Sequence, residues 1–214
     1  MKNVSTIALG IALAFGVVTV AGVEPALAQK KKEEKAPALK LSKPVRDAVS
    51  AAQTAVKAGD TATAEAKLTE ARAAASNDDE KYVVASVTLD VARAKNDSKM
   101  QGEAVEAMIA SGKVPAENVA LYNLVVGQLA YQAKDLAKAD KYLTAAIAAN
   151  ISEMNAYALL AETKSQQNKP AEAIAVLEQA IAKQKASGQA VPNDWYARGI
   201  SIGYSAKLGP QVES

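Results

Sequence analysis

The sequence predicts an all-α fold in which helical hairpins stack side by side into a solenoid. Two observations support this class. Alanine makes up 48 of the 214 residues, and it favours closely packed helices because it loses no side-chain entropy in a helix. From Val45 onward, apolar residues recur at helical spacing in segments of about a dozen residues, with polar breaks between them and hardly any strand pattern.

The composition excludes several classes of chemistry. The chain contains no Cys and no His, which excludes disulfides, structural zinc sites and nucleophilic catalysis that depends on Cys or His. Carboxylates are then the plausible acid–base groups, and their densest cluster is Asp78-Asp79-Glu80. Because acids stabilise a helix N-terminus and an apolar run follows directly, we interpret this cluster as a helix cap. We therefore expect no enzymatic activity, no metal site and no cofactor.

Residues 1–28 have the pattern of a secretory signal peptide. Lys2 precedes an apolar run from Ile7 to Val23, and Ala26 and Ala28 are the small residues that a signal peptidase requires. We expect cleavage after Ala28 and a periplasmic or secreted bacterial protein, without a lipid anchor because there is no Cys to carry one. An uncleaved membrane anchor is the alternative, since the apolar run is near the lower length limit of a spanning helix.

Residues 29–43 are interpreted as a charged flexible linker. They contain six Lys and two Glu, a net charge of +4, whereas the whole chain carries +2. Since the signal segment is neutral, the residues after 43 sum to −2, and the folded part is slightly acidic. Contact of the linker with an anionic lipid or polymer is the alternative to a spacer. A slightly acidic body offers no surface for phosphates, so we expect no nucleic-acid partner.

Residues 44–214 contain an internal repeat. Small and large apolar residues recur in the same order at an offset of 34 residues: Ala139, Leu143, Ala146 and Ile147 correspond to Ala173, Leu177, Ala180 and Ile181. In this period and order the chain resembles the tetratricopeptide-repeat family. The resemblance implies a right-handed α-α superhelix of about four hairpins, followed by an incomplete one.

The copies differ in how well they match the family pattern. In residues 154–187, Tyr157 stands at the aromatic position of the first helix. In residues 120–153, Asn123 replaces this aromatic residue. A degenerate copy lies around Tyr82 to Gly112, and there the spacing is expected to slip.

Local signals predict where helices begin and end. Pro115 and Pro170 are each expected at the first position of a helix, and Ser152 and Asn193-Asp194 are expected as N-terminal caps. Three glycines are expected in turns or at helix ends: Gly59, Gly112 and Gly188.

A further first helix is predicted at Trp195 and Gly199, which match the aromatic and small positions. Its second helix should begin near Pro210 and does not develop before Ser214. A solenoid requires a polar cap on its last face. We therefore expect either a fragment of a longer protein or an open end that is covered by a partner, which includes a second copy of this chain.

The resemblance also implies where a partner binds. Family members usually hold an extended peptide or a partner helix in a trough that is lined by the first helix of each hairpin. Matching these inner-wall positions residue by residue gives the candidate binding residues Gln128, Tyr131, Asn155, Glu162, Gln166 and Tyr196. The Lys, Arg and Asn set that clamps a C-terminal carboxylate in chaperone-binding relatives is not evident.

The function implied by this resemblance is a non-catalytic scaffold or assembly factor of the bacterial envelope that binds a protein or peptide in the trough. One alternative is an N-terminal helper region of a longer envelope enzyme or cell-wall-binding protein, whose catalytic part would lie beyond Ser214. Another is a structural protein that associates with itself through the open last unit. A repeat scaffold does not identify its ligand, because the packing positions hold the fold while the surface is free to vary.

Overall fold

The protein, described by a computed structural model over residues 39–206, is all-α in this range, as predicted. The predicted signal peptide, most of the linker and the segment near Pro210 lie outside the described residues. Within residues 39–206 there are nine helices: α1 Lys43–Lys57, α2 Thr61–Ala74, α3 Asp78–Ala94, α4 Ser98–Ala110, α5 Ala116–Gln132, α6 Leu136–Ala148, α7 Asn155–Gln166, α8 Pro170–Ala186 and α9 Asn193–Ser205.

The first eight helices form four hairpins, and α9 follows the last one. Each helix packs mainly against the helices before and after it, which places every hairpin against the next. The first helices of neighbouring hairpins also contact each other, as α1 does with α3 and α5 with α7. The architecture is therefore a solenoid of helix hairpins of the tetratricopeptide type.

All four hairpins turn in the same way. Three residues separate the two helices, and the N–H of the third bonds to a carbonyl five residues earlier, as Asp135 N does to Ala130 O at 2.9 Å. This Schellman-type arrangement satisfies the last carbonyls of the first helix and requires positive φ at the middle residue. Those middle residues are Gly59 at 77°, Asn96 at 54°, Lys134 at 63° and Asn168 at 60°. Gly112 and Gly188, in the connections between hairpins, also have positive φ, so the three predicted turn glycines are confirmed.

The third turn residue usually caps the second helix. Asp60, Asp97 and Asp135 accept hydrogen bonds from the backbone N–H groups of Thr63, Met100 and Lys138. In the fourth hairpin Pro170 takes the first helical position instead, as predicted. The same prediction is wrong for Pro115, which precedes α5 as its N-cap residue in a non-helical conformation, so the helix begins at Ala116.

Two predicted caps are wrong. Ser152 donates its hydroxyl to Glu153 at 2.9 Å, and α7 begins three residues later at Asn155, because the buried Ile151 anchors the connection ahead of it. Asn193 and Asp194 are the first two residues of α9 rather than its cap. Pro192 precedes it, and the fixed φ of proline directs the chain into the helix without a side-chain acceptor.

The core repeats within every hairpin. A buried small residue on the first helix is followed twelve positions later by a buried small residue on the second helix, and four positions further by a large apolar one. The expected slip in the copy around Tyr82 to Gly112 is not present within α3 and α4; only the distance between hairpins varies along the chain. The sets are Ala52, Ala64 and Leu68; Ala92, Ala104 and Met108; Gly127, Ala139 and Leu143; Ala161, Ala173 and Leu177.

Helices α5 and α6 approach each other closely at Gly127 of α5. A Cβ atom added there would lie 2.7 Å from Leu143 Cγ and 3.1 Å from the Leu143 backbone nitrogen. Leu143 is fully buried, so its side chain has no space into which to move. Helices α5 and α6 are therefore closer at this point than any larger residue permits.

The start of α3 is tied to the chain before α1 by a buried carboxylate. Glu80 is 0% exposed and accepts hydrogen bonds from the backbone nitrogens of Ser42 and Ser76, both at 2.7 Å. Its side chain also forms a reciprocal capping box with Asn77. The bonds from Ser42 and Ser76 lower the pKa of Glu80 to about 2. Within the acidic cluster, Glu80 therefore caps a helix, as we interpreted.

Candidate partner-binding site

The structure places the six candidate residues on three first helices. Gln128 and Tyr131 lie on α5, Asn155, Glu162 and Gln166 lie on α7, and Tyr196 lies on α9. None of them is fully buried, and Tyr196 is 41% exposed.

Three of these residues are in direct contact across α5 and α7. The Gln166 side-chain nitrogen donates to the Tyr131 hydroxyl at 2.7 Å and to Glu162 Oε1 at 3.0 Å. We call Tyr131, Glu162 and Gln166 the trough cluster. Asn155 lies eleven residues before Gln166 on the same helix, which at 1.5 Å per residue is about 16 Å away. No hydrogen bond joins Gln128, Asn155 or Tyr196 to this cluster within residues 39–206.

The trough cluster presents hydrogen-bonding groups of both kinds. Burial and the neighbouring charge of Glu162 raise the pKa of the Tyr131 hydroxyl, so it is protonated at neutral pH. Because its oxygen accepts from Gln166, the Tyr131 O–H remains available as a donor. The second carboxylate oxygen of Glu162 and the amide oxygen of Gln166 are acceptors. An extended peptide backbone, which offers alternating N–H and C=O groups, matches such a set.

Basic groups surround the trough cluster. The Lys134 ammonium lies 5.5 Å from the centre of the Tyr131 ring. Arg198 of α9 is close enough to act on the Tyr131 hydroxyl, where its positive charge lowers the pKa and opposes the effect of Glu162. Arg198 was not among the predicted site residues, because matching the last helix to the family pattern placed only Tyr196 on the inner wall.

Sequence reasoning also missed equivalent positions on the first two hairpins. The residue that follows the buried small residue of each first helix is Gln128 on α5 and Glu162 on α7. The same position is Gln53 on α1 and Arg93 on α3, and both are partly exposed. Arg93 opposes the increase in the pKa of Asp90 that burial produces. The twelve-residue spacing inside each hairpin would have identified both positions.

Ion pairs elsewhere connect the hairpins and have a structural role. Lys164 of α7 lies 2.9 Å from Asp140 of α6 and 2.6 Å from Glu172 of α8, with only 14% of its side chain exposed. Lys138 of α6 lies 2.7 Å from Glu106 of α4. These pairs therefore contribute to the packing of adjacent hairpins.

The described part of the chain contains neither a cluster of metal ligands nor a membrane-spanning helix. No group of three or more Asp, Glu, His or Cys side chains there is arranged to hold a metal ion. Among the helices in residues 39–206, none combines the length and the apolar character that crossing a bilayer requires.

Comparison with known proteins gave matches only among solved structures. No protein-family model matches the sequence, and no curated protein matches it. Two crystal structures are similar to the chain: a kinesin light chain of Podosopora anserina with nearly identical TPR-like repeats, and a variant of the same protein. Each has 13% sequence identity and a TM-score of 0.49, with 81% of this chain and 92% of the other chain covered.

Proposed function

We propose that the protein is a non-catalytic interaction scaffold or assembly factor of the bacterial envelope that binds an extended segment of a partner protein in the trough. The observation that carries this proposal is the trough cluster, where Tyr131, Glu162 and Gln166 bridge two first helices with both donors and acceptors. A rigid row of such groups suits a peptide backbone, because each satisfied group avoids the cost of a buried polar atom without a partner.

The polar residues at the inner positions of the first helices support a partner segment that carries both acidic and basic side chains. Gln53, Arg93, Gln128 and Glu162 change in charge from one hairpin to the next. A segment that binds along all of them must present an acid near Arg93 and a base near Glu162, in this order. Such a pattern supplies specificity, which a purely apolar trough does not.

Site-specific photo-crosslinking tests this function. A benzoylphenylalanine residue is placed at Tyr196 or Asn155, on the predicted trough, and at the exposed Ala175 of α8 as the control. The full chain, including residues 1–28, is expressed in a bacterium and its adducts are identified by mass spectrometry. We expect adducts with envelope proteins from the two trough positions and none from Ala175.

A double variant then ties the adducts to the trough cluster. Tyr131→Ala combined with Glu162→Ala removes the hydroxyl and the carboxylate that hold Gln166, and it should abolish the trough adducts while the helical content is retained. Adducts that persist in this variant, or that form equally from Ala175, would contradict binding in the trough. Cytoplasmic partners alone would contradict the envelope location.

Self-association is a second candidate function, and a surface of α9 favours it. Tyr196, Ile200 and Tyr204 are 41%, 44% and 76% exposed and lie four residues apart on one face of the helix. If this face joins two copies, sedimentation should show a dimer that Ile200→Ser and Tyr204→Ser together convert to a monomer. A monomer in the unaltered protein at high concentration would remove this candidate.

A further inference from the structure

A groove of about 450 Å³ opens between the second helices α2 and α4. Its floor is α3, where Val84 and Ala85 are buried, and its wall on α4 includes Ala104 and the half-buried Met100. The volume lies within the usual range for sites that take a ligand or a large side chain.

The groove opens on the opposite side of α3 from the predicted trough. Successive helical residues are separated by about 100°, so Val84 and Thr88, which line the groove, project away from Asp90 and Arg93. A ligand in the groove and a peptide in the trough would therefore contact different surfaces.

A small residue lines the groove at a position that carries an aromatic residue on α7 and α9, whereas α1 and α5 have Ala48 and Asn123 there. Thr88 lies four positions before the buried small residue of α3, the place that Tyr157 holds on α7 and Trp195 on α9. Tyr157 is 2% exposed and packs in a buried cluster with Ala146 of α6 and Ala180 of α8. The threonine leaves the equivalent space between α2 and α4 without a ring.

The surroundings of the Tyr157 ring indicate which groups would suit the groove. The Lys183 ammonium lies 5.5 Å from the centre of the Tyr157 ring, in cation–π range. In the groove a guanidinium is available for the same role, because Arg72 donates to Thr88 Oγ1 at 2.9 Å. Within residues 39–206, Arg72 forms no ion pair with a carboxylate.

The charges along the edges would orient a ligand. Arg72 lies on the α2 edge, whereas Glu103 lies on the α4 edge, 3.9 Å from the Lys99 ammonium. Lys81 also lines the groove and is paired with Asp78 at 3.0 Å. An anionic group is therefore attracted to the α2 edge by Arg72 and repelled from the α4 edge by Glu103.

We propose that the groove between α2 and α4 is a second docking site, which takes an aromatic side chain of a partner protein with an acidic residue next to it. The ring occupies the space that Tyr157 fills in its own hairpin, and the neighbouring carboxylate pairs with Arg72. This site is independent of the function proposed for the trough.

Short peptides test the chemistry of the groove on the full chain by NMR. Acetyl-Phe-Asp-amide should shift the methyl signals of Val84 and Met100 saturably, at millimolar concentration. Acetyl-Phe-Asn-amide should bind roughly tenfold more weakly because it cannot pair with Arg72, and acetyl-Ala-Asp-amide should not bind. No shift with the first peptide at 10 mM, a ceiling that corresponds to roughly 3 kcal/mol of affinity, would overturn the proposal.

Variants locate the binding. Thr88→Tyr, which supplies the missing ring, should abolish binding, and Arg72→Gln should weaken it roughly tenfold. Arg93→Gln is the same change on the other side of α3 and should have no effect. If Thr88→Tyr does not fold, Ala107→Phe at the exposed rim serves instead. Binding that survives the filling variant, or an equal loss in Arg93→Gln, would overturn the groove as the site.

Two further measurements distinguish a protein segment in the groove from a peptide in the trough and from a small molecule. Tyr131→Ala with Glu162→Ala, which tests the trough, should leave peptide binding in the groove unchanged. The free acid 3-phenylpropionate should bind more weakly than acetyl-Phe-Asp-amide, since it offers no backbone on which the groove edges can act. Equal or tighter binding of the free acid would indicate a small-molecule site and would overturn the assignment to a protein segment.

Discussion

Hairpins α3–α4 and α7–α8 are built on the same buried frame and differ almost everywhere else. Ala92, Ala104 and Met108 in one hairpin occupy the positions of Ala161, Ala173 and Leu177 in the other, and all are buried. Yet α3 begins with a capping box and a buried carboxylate, whereas α7 begins after Met154 with no side-chain cap. The two hairpins therefore share three buried positions, while their ends and the space beside them differ.

The largest effect should come from removing the large residue of this frame. Leu177→Ala and Met108→Ala should each lower the free energy of unfolding by about 2–5 kcal/mol, because each leaves a cavity in a close-packed site. Urea unfolding followed by circular dichroism measures the loss. Glu178→Ala, at an exposed position next to Leu177, should change stability very little. A small loss at Met108 alone would show that the degenerate hairpin does not depend on the shared frame.

The next largest effect concerns two helical glycines. Gly127→Ala should destabilise the protein by about 1–3 kcal/mol, because the new methyl group overlaps Leu143 and its backbone nitrogen. Gly102→Ala is the matched control, since its Cβ would be 3.7 Å from the nearest atom, Leu129 Cδ1, an ordinary contact. That variant should instead stabilise α4 by about 0.5–1 kcal/mol. Opposite signs in thermal unfolding would confirm the close approach, and equal signs would contradict it.

The entry into α3 should depend on its cap more than the entry into α7 does. Asn77→Ala removes the side chain that accepts from Glu80 N at 3.0 Å and should cost about 1 kcal/mol. Ser152→Ala, before α7, should cost almost nothing because its hydroxyl caps no helix. Chemical unfolding of the two variants checks the contrast, and a comparable loss for Ser152→Ala would mean that the α7 entry relies on a polar cap after all.

The smallest effect should be present at neutral pH and disappear in acid. Folding lowers the pKa of Glu80 from 4.5 to about 2 through the bonds from Ser42 and Ser76. The stabilisation from the charged form is therefore complete above pH 4.5 and disappears as the pH falls toward about 2. The melting temperature of Glu80→Gln should lie a few degrees below that of the unaltered protein at pH 7.

The melting temperatures of Glu80→Gln and of the unaltered protein should converge as the pH falls toward about 2, where Glu80 becomes protonated. Glu178→Gln is the matched control, since its side chain is exposed, and its melting temperature should follow the unaltered protein at every pH. A difference between Glu80→Gln and the unaltered protein that stays constant down to pH 2 would show that the carboxylate charge contributes nothing.

The frame could be predicted from the sequence because it is periodic. Small residues such as Ala139 and Ala173 recur at the offset of 34 residues, and this alone indicates stacked hairpins. Tyr131 and Gln166 lie 35 residues apart, one residue more than this period, so the repeat brings their two helices together although the two positions are not equivalent. Arg93 was missed because the period was measured between hairpins, where the connections differ in length, rather than within a hairpin.

Other features leave no periodic signal. Ser42 and Glu80 lie 38 residues apart, and their hydrogen bond joins the segment before α1 to the start of α3. This contact is not repeated at the other hairpins in the described chain. The groove depends on the separation of α2 and α4, two helices that are not adjacent in sequence. Both require three-dimensional packing, which amino-acid patterns do not specify.

Helices in residues 39–206 pack mainly against helices that are close in sequence, and this bears on how the chain folds. No stretch of residues 39–206 depends on a strand or helix from the far end, because every helix packs against others that are close in the chain. Such low contact order favours rapid folding that can nucleate in any hairpin and spread outward. Each hairpin can dock on the preceding one as soon as both have emerged, so the array can assemble stepwise along the chain.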